Sequence, residues 1–273
     1  MIEPKKTPSH THPETKRQTL SATELAFKQV PTRSVQTVQQ YVDGLSHTLA
    51  KIEYDVDNIG EKKAFYNIYL EIQKTSQFLS HQPSEIVQYF SQKFKEKSQT
   101  LLLESDFCHY CIEKPRGYAG DFVMMLKIWD AHKNPSTHRY LGNTKRGQLI
   151  NAMTLDMHNC KSNIHRVGHL TQFLKKSKPQ HSIASFGCGP AIELIESIQQ
   201  GLLKCASIHL FDQDEGAFLH IENALKKTPN APKVIFHPGN IYRSAIKFNE
   251  TIDIRSEEHT SELQSPCNLV CRL

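Results

Sequence analysis

The sequence has few of the features that mark membrane, secreted or nucleic-acid-binding proteins. Nowhere in its 273 residues does an apolar run approach the ~20 residues that a membrane-spanning helix needs. The seven cysteines are an odd number at irregular spacing and no secretory signal precedes them, so we expect a reduced, cytoplasmic setting. The net charge is only +5 and is spread along the chain, whereas a nucleic-acid footprint would be clustered. These absences favour a globular protein with no integral membrane segment and no nucleic-acid partner.

The two ends of the chain differ from the rest. Residues 1–33 are rich in Lys, Thr, Pro, His and Ser and poor in large apolar residues, so they cannot offset chain entropy and should form a disordered tail. Residues 255–273 read as the translation of a common sequencing adapter, and we interpret them as a non-native tail without a docking site. On this interpretation the natural chain continues differently after Ile254, and its last domain is incomplete here.

Between these ends, the apolar pattern changes once. Between about 35 and 105, apolar residues recur at three- and four-residue intervals, which predicts three amphipathic helices. Pro83 and Ser84 mark the start of one of them. We therefore expect a helical domain over 34–140. A further long helix should run from about 149 to 176. Strands and helices then alternate, which predicts a parallel α/β domain over 141–254.

Three strand ends in the second domain carry polar or glycine signatures. Ser185 and Phe186 end a strand, Gly187-Cys188-Gly189-Pro190-Ala191 follows as a glycine turn, and a helical pattern begins at Ile192. A second strand ends at Asp212, where a carboxylate could accept hydrogen bonds from a ribose diol. A third leads to Asn240, whose amide could meet an adenine edge. The predicted cofactor-binding residues are Ser185, Gly187, Gly189, Ala191, Asp212, Gln213, Asn240 and Ile241.

Two cofactors suit such a pocket, NAD and S-adenosylmethionine. A dinucleotide-binding fold requires a third glycine for close helix packing, and it requires room for a pyrophosphate at the helix N-terminus. Here Ala191 takes the third place and Pro190 precedes it. The order of motifs resembles class I S-adenosylmethionine-dependent methyltransferases more closely. A dehydrogenase and a nucleotide-binding regulatory or scaffold protein remain alternatives.

The stretch Lys114-Pro115-Arg116-Gly117-Tyr118-Ala119-Gly120-Asp121-Phe122 allows two interpretations. Asp121 precedes a helical pattern and could simply be its N-cap. Alternatively, Arg116, Tyr118 and Asp121 form a catalytic lip over the methyl-donor site.

A family resemblance favours the second interpretation. Pro115 to Asp121, Ser185 to Ala191 and Leu210 to Glu215 together resemble the bacterial methyltransferases of the extracellular-factor, 3-hydroxypalmitic acid methyl ester synthase type, over roughly residues 60–254. The resemblance implies a Rossmann-like class I methyltransferase domain that uses S-adenosylmethionine. It also implies a cytoplasmic enzyme that methylates the carboxylate of a small or fatty 3-hydroxy acid in quorum-signal synthesis. In this scheme Arg116 orients the acceptor carboxylate, Tyr118 excludes water and Asp212 holds the ribose.

No metal site is predicted. Cys108 and Cys111 have zinc-like spacing but no second cysteine pair, so we expect small buried thiols at a helix end. His165 and His169 are four residues apart without a third ligand and should lie on the surface. Arg166 between them could face the pocket, although a solvated arginine is favoured. The sequence gives no indication of the oligomeric state.

Overall fold

The computed structural model describes residues 32–118, 120–240 and 252–257. Its helices are α1 (Thr32–Ala50), α2 (Ile52–Ile59), α3 (Glu61–Ser80), α4 (Ser84–Leu102), α5 (Asp106–Glu113), α6 (Phe122–Lys133), α7 (Pro135–His138), α8 (Lys145–Leu155), α9 (His158–Leu174), α10 (Ile192–Gln199) and α11 (Glu215–Leu225). Its strands are β1 (Ser182–Phe186), β2 (Ser207–Asp212), β3 (Lys233–Pro238) and β4 (Ile254–Glu257). The predicted disordered tail lies outside the described residues, apart from its last two, which begin α1.

The first helices bury one continuous apolar core. Val38, Phe90 and Ile68 from α1, α4 and α3 are at most 1 % exposed and belong to the same cluster. Where three helices were predicted there are four, because Gly60 adopts φ 82° and separates α2 from α3. An L residue rarely adopts this backbone conformation, so glycine fits the break. The predicted start at Pro83 and Ser84 is confirmed.

The single long helix predicted up to about residue 176 is wrong, since α8 and α9 are separate. Met157 has an extended backbone with ψ 155° and no side-chain cap, and neither glycine nor proline marks the break. Ile150 and Met153 of α8 join the core of the first helices, whereas Leu174 at the end of α9 packs under the sheet. Tertiary packing therefore divides a segment whose local sequence is continuously helical.

The strands form one parallel sheet in the order β3-β2-β1-β4, so the predicted α/β character is confirmed. One face of the sheet packs Ile183, Ile208 and Leu210 against apolar side chains of α9, α10 and α11. On the other face the rings of Phe186 and Phe211 stack with centroids 4.4 Å apart. The order matches the first four strands of one common doubly wound arrangement, 3-2-1-4-5-6, in which ligands bind outside the carboxyl ends of the strands.

β4 corrects one expectation about the end of the chain. Residues 255–257 were assigned to a tail without a docking site, yet they continue the strand that starts at Ile254 and pair with β1. Strand pairing uses backbone groups, so whatever residues follow Ile254 can extend the ladder. The remaining tail, 258–273, lies outside the described residues. Within the described ranges, none of the helices is both long enough and apolar enough to cross a membrane.

Candidate functional site at the strand tips

The carboxyl ends of β1, β2 and β3 lie side by side. Phe186 is in register with Phe211, and Asp212 is in register with Pro238. The backbone N–H of Gly239 donates to the carbonyl oxygen of Asp212 at 2.9 Å. The three strand ends named from the sequence therefore meet at one edge of the sheet, with Asp212 between the other two.

The glycine turn after β1 is folded against the end of β2. The N–H groups of Gly187 and Cys188 both donate to the Phe211 carbonyl, at 2.8 and 3.1 Å. Gly187 and Gly189 have φ of 67° and 49°, which glycine adopts without steric cost. Ala191 has φ 46°, where a residue with a Cβ is strained by about 1 kcal/mol or more. The turn brings bare backbone to the sheet edge, as the sequence predicted.

Asp212 is held in place by backbone donors and is only 7 % exposed. Its Oδ2 accepts from the N–H of Gly189 at 2.8 Å, and its Oδ1 accepts from the N–H of Asp214 at 2.9 Å. An ionised carboxylate has about four acceptor positions, two on each oxygen. Each oxygen of Asp212 can thus accept one further hydrogen bond, and a vicinal diol would donate two.

The other predicted cofactor residues differ in position. Gln213 is exposed beside Asp212, and Asn240 follows Gly239 at the end of β3. Ile241 lies outside the described residues. Ser185 instead faces the helices: it is 1 % exposed and lines a cavity of about 40 Å³, and its Oγ has no hydrogen-bond partner among the residues that the structure describes. Its backbone, rather than its hydroxyl, belongs to the strand that carries the turn.

Arg116 and Tyr118 converge on Asp214, a residue that the sequence did not single out. The Arg116 guanidinium donates to both oxygens of Asp214, from Nε to Oδ2 at 2.6 Å and from Nη2 to Oδ1. The Tyr118 hydroxyl donates to Oδ2 at 2.8 Å. Asp214 also caps α11 by accepting from the N–H of Gly216, and this N-cap position was the available sequence signal. The 114–121 stretch is thereby fixed next to the tip of β2.

The electrostatics of this cluster follow from its contacts. Burial alone would raise the pKa of the Asp214 carboxyl, but the hydrogen bonds from Arg116 and Tyr118 hold it below its usual range. Burial raises the pKa of the Tyr118 hydroxyl, and its bond to Asp214 raises it further. The guanidinium also lies 4.7 Å from the centroid of the Phe122 ring. At neutral pH the cluster therefore holds an ion pair and a protonated tyrosine.

Asp121 makes the contacts of a helix cap. Its Oδ1 accepts from the N–H of Met124 at 2.9 Å, and its Oδ2 accepts from the Tyr110 hydroxyl at 2.8 Å. Only 2 % of Asp121 is exposed. The N-cap interpretation of this residue is confirmed, and its role as a catalytic group stays a prediction.

Glu193 is a second residue that the sequence reasoning missed. It lies in the first turn of α10, directly behind the glycine turn, and is 5 % exposed. Burial raises the pKa of its carboxyl, and the nearby Arg166 guanidinium acts in the opposite direction. Arg166 is half-buried near this carboxylate, so it is only partly solvated. The sequence of α10 has an apolar periodic pattern, and nothing in this pattern indicates that the Glu193 carboxylate is buried.

The candidate metal ligands lie where the sequence placed them. Cys108 and Cys111 are buried thiols in α5, and His165 and His169 are exposed on α9.

No protein-family model, curated protein or solved structure matches the chain. What can be said of its function therefore rests on the geometry of the strand tips.

Proposed function

We propose that the strand tips bind S-adenosylmethionine and that the protein is a Rossmann-like class I methyltransferase acting on the carboxylate of a small or fatty 3-hydroxy acid. The observation that carries the proposal is the position of Asp212. Its backbone carbonyl contacts the turn after β3, its carboxylate contacts the turn after β1, and each of its oxygens retains one acceptor position. That is the arrangement a ribose diol requires.

The backbone of the glycine turn favours this cofactor over a dinucleotide. A pyrophosphate is bound by free N–H groups of such a turn and by a helix N-terminus. Here the N–H groups of Gly187, Cys188 and Gly189 are all directed at the end of β2. A turn whose N–H groups are already used in this way suits the uncharged backbone approach of S-adenosylmethionine better than a pyrophosphate, which needs free donors.

The Arg116 side chain can serve the acceptor while it holds Asp214. Its contacts with Asp214 use Nε and Nη2, which leaves the N–H groups of Nη1 and one of Nη2 as donors. These form the end of the guanidinium fork, which can bind a second carboxylate in a bidentate manner. One third of the Arg116 side chain is exposed, so part of it can be reached by a ligand. Tyr118, on the same carboxylate, closes one side of the site.

The chemistry demands positioning rather than acid–base catalysis. When bound, the cofactor supplies an electrophilic methyl group on a sulfonium. The acceptor carboxylate is already ionised at neutral pH, with a reference pKa near ~4, so no general base is needed. The protein's part is to hold the oxygen in line with the methyl carbon. Such orientation is worth as much as about 7–11 kcal/mol of the barrier.

Methyl transfer from radiolabelled S-adenosylmethionine to 3-hydroxyhexadecanoate tests the proposal. We expect the Arg116→Lys variant to raise the KM for the acceptor about tenfold with little effect on cofactor affinity, because lysine keeps the charge but loses the planar fork. Lys114→Ala, at a half-buried position of the same stretch, serves as the matched control and should leave the KM unchanged. A chain that binds the cofactor and methylates no carboxylic acid would support the binding-protein alternative. Preferential binding of NAD would support the dehydrogenase.

A further inference from the structure

A cavity of about 800 Å³ lies in the helical part of the protein, between α3, α8 and α9. It shares no lining residue with the strand tips described above. Its apolar surface comes from aromatic, aliphatic and thioether side chains, which include Phe65, Tyr66, Tyr69, Ile72, Met153 and Met157. The volume is within the range of small-molecule sites in proteins, about 300–1,000 Å³.

The aromatic residues are arranged to receive a ring. Phe65 is 9 % exposed, whereas Tyr66 remains 57 % exposed. Between these extremes, Tyr69 is half-buried and its ring meets the His158 ring edge-on, with centroids 5.1 Å apart. Offset and edge-on contacts between aromatic rings are favourable beyond the area that they bury. An exposed tyrosine over an apolar cavity is therefore suited to an aromatic ligand.

The charged residues around the cavity are mostly cationic. Lys62, Lys63, Lys161 and Arg139 line it together with two acids, Glu61 and Asp156. Arg139 engages both acids, at 3.3 Å from Glu61 Oε1 and 2.5 Å from Asp156 Oδ2. The Arg139 Nε–H is buried and has no acceptor among the described residues. Lys62 and Lys63 are exposed and add positive charge without a matching acid in the lining.

Two helix N-termini add to this positive field. α3 begins after Gly60 and α9 begins after Met157, and both of these residues line the cavity. Neither helix has a side-chain hydrogen bond at its N-cap. The first N–H groups of a helix lack intrahelical partners and carry partial positive charge. The first turn of α3 already holds Glu61, whereas the first turn of α9 holds no acidic residue, so the start of α9 above all favours an acidic group over a neutral or cationic one.

We propose that this cavity is a binding site for an aromatic anion, a ring system that carries one acidic group. The rings lie against Tyr66, Tyr69 and the methionines, and the acidic group lies near Lys62, Lys63 and the two helix N-termini. This proposal is independent of methyl transfer, because none of its residues belongs to the strand tips.

Calorimetric titration of the full chain with three matched probes tests the proposal. Naphthalene-2-sulfonate has the aromatic body and the charge, decane-1-sulfonate has the same charge and carbon count without rings, and naphthalene-2-sulfonamide has the rings without the charge. We expect naphthalene-2-sulfonate to bind tightest of the three. The double variant Lys62→Gln/Lys63→Gln should weaken its binding about fivefold or more, with a loss that shrinks as salt is added.

The matched control is Lys226→Gln/Lys227→Gln, which neutralises an exposed lysine pair at the end of α11. It should leave the affinity unchanged. Equal loss in both double variants would show a general charge effect and overturn the proposal, as would the absence of naphthalene-2-sulfonate binding. Tighter binding of decane-1-sulfonate would refute the aromatic assignment, and equal binding of the sulfonamide would refute the anionic one. Because the lysines are exposed, circular dichroism should show that all variants are folded.

Discussion

The pairing of Arg116 with Asp214 is the contact that fixes the 114–121 stretch to the sheet, and its strength can be measured. Side-chain exposure is 33 % for Arg116 and 7 % for Asp214, so one partner is buried and the other partly solvated. A hydrogen bond to a charged group contributes about 1.5–3 kcal/mol. Solvent screening on the arginine side reduces this, and we expect a coupling free energy of about 1–2 kcal/mol.

A double-mutant cycle isolates this coupling. Asp214→Asn is the suitable change because asparagine is as good an N-cap as aspartate, so the cap on Gly216 is retained while the charge is lost. Arg116→Gln removes the other partner. Urea unfolding of the parent, the two single variants and the double variant gives the interaction term directly.

The pH dependence of the coupling has a definite sign. The pKa of Asp214 is held below its usual value of 3.8, so the folded state binds the proton less well than the unfolded chain. Stability from this group is therefore fully present above the unfolded pKa and is lost as the pH falls through the folded pKa. The coupling should be constant near neutral pH and should disappear in acid below 3.8.

The exposed pair Lys97–Asp43 is the matched control, with side-chain exposures of 47 % and 49 %. Its coupling should be below about 0.5 kcal/mol. A coupling for Arg116 and Asp214 no larger than that of the control would refute the reasoning. It would mean that the 114–121 stretch is not held at the strand tips by this ion pair.

Two further predictions concern packing and thiol chemistry. A Cβ on Gly216 would lie 2.7 Å from Nη2 of Arg116, 3.1 Å from Oδ1 of Asp214 and 3.2 Å from Cε1 of Phe122, so Gly216→Ala should fail to stabilise the protein. Gly168, where a Cβ would meet nothing within 4 Å, is the control for this variant. Alanine at position 168 should raise the free energy of unfolding by about 0.5–1 kcal/mol in denaturant titrations. Equal gains at both positions would contradict the packing argument. Burial raises the pKa of Cys205 to about 11, so its alkylation by iodoacetamide, followed by peptide mass spectrometry, should be slow at pH 8 and rise only near pH 11. Labelling with a midpoint near the ordinary thiol value of about 8.5 would show that the thiol is accessible.

The sequence predicted the elements whose signals are local. A short apolar run followed by glycines or by aspartate identifies β1 and β2 with their carboxyl ends, and parallel pairing then brings these ends to one edge. The helix start at Pro83 and Ser84 and the cap at Asp121 were readable for the same reason, since both signals depend on residues within one turn.

What the sequence did not show depends on contacts between distant segments. Asp214 lies 98 residues from its partner Arg116, and no spacing rule connects them. The break between α8 and α9 follows from docking on two different cores, and the burial of Glu193 beside Arg166 depends on how α9 lies against α10. The cavity between α3, α8 and α9 likewise arises from the packing of these helices, and no local pattern in the sequence predicts it.

The most direct test of the central claim is the affinity of the full chain for S-adenosylmethionine, measured by calorimetry in parallel with NAD for the parent and for two aspartate variants. Asp212→Ala removes the carboxylate at the strand tips, whose Oδ2 accepts from the N–H of Gly189 at 2.8 Å. Asp253→Ala removes a carboxylate at the opposite edge of the sheet, whose Oδ2 accepts from the N–H of Ser182 at the same distance. We predict that S-adenosylmethionine binds and NAD does not, and that only the Asp212 variant loses affinity, by about tenfold or more for the loss of two hydrogen bonds to a charged group. Unchanged binding in the Asp212→Ala variant, or equal loss in both variants, would contradict the assignment of the strand tips as the adenosyl site.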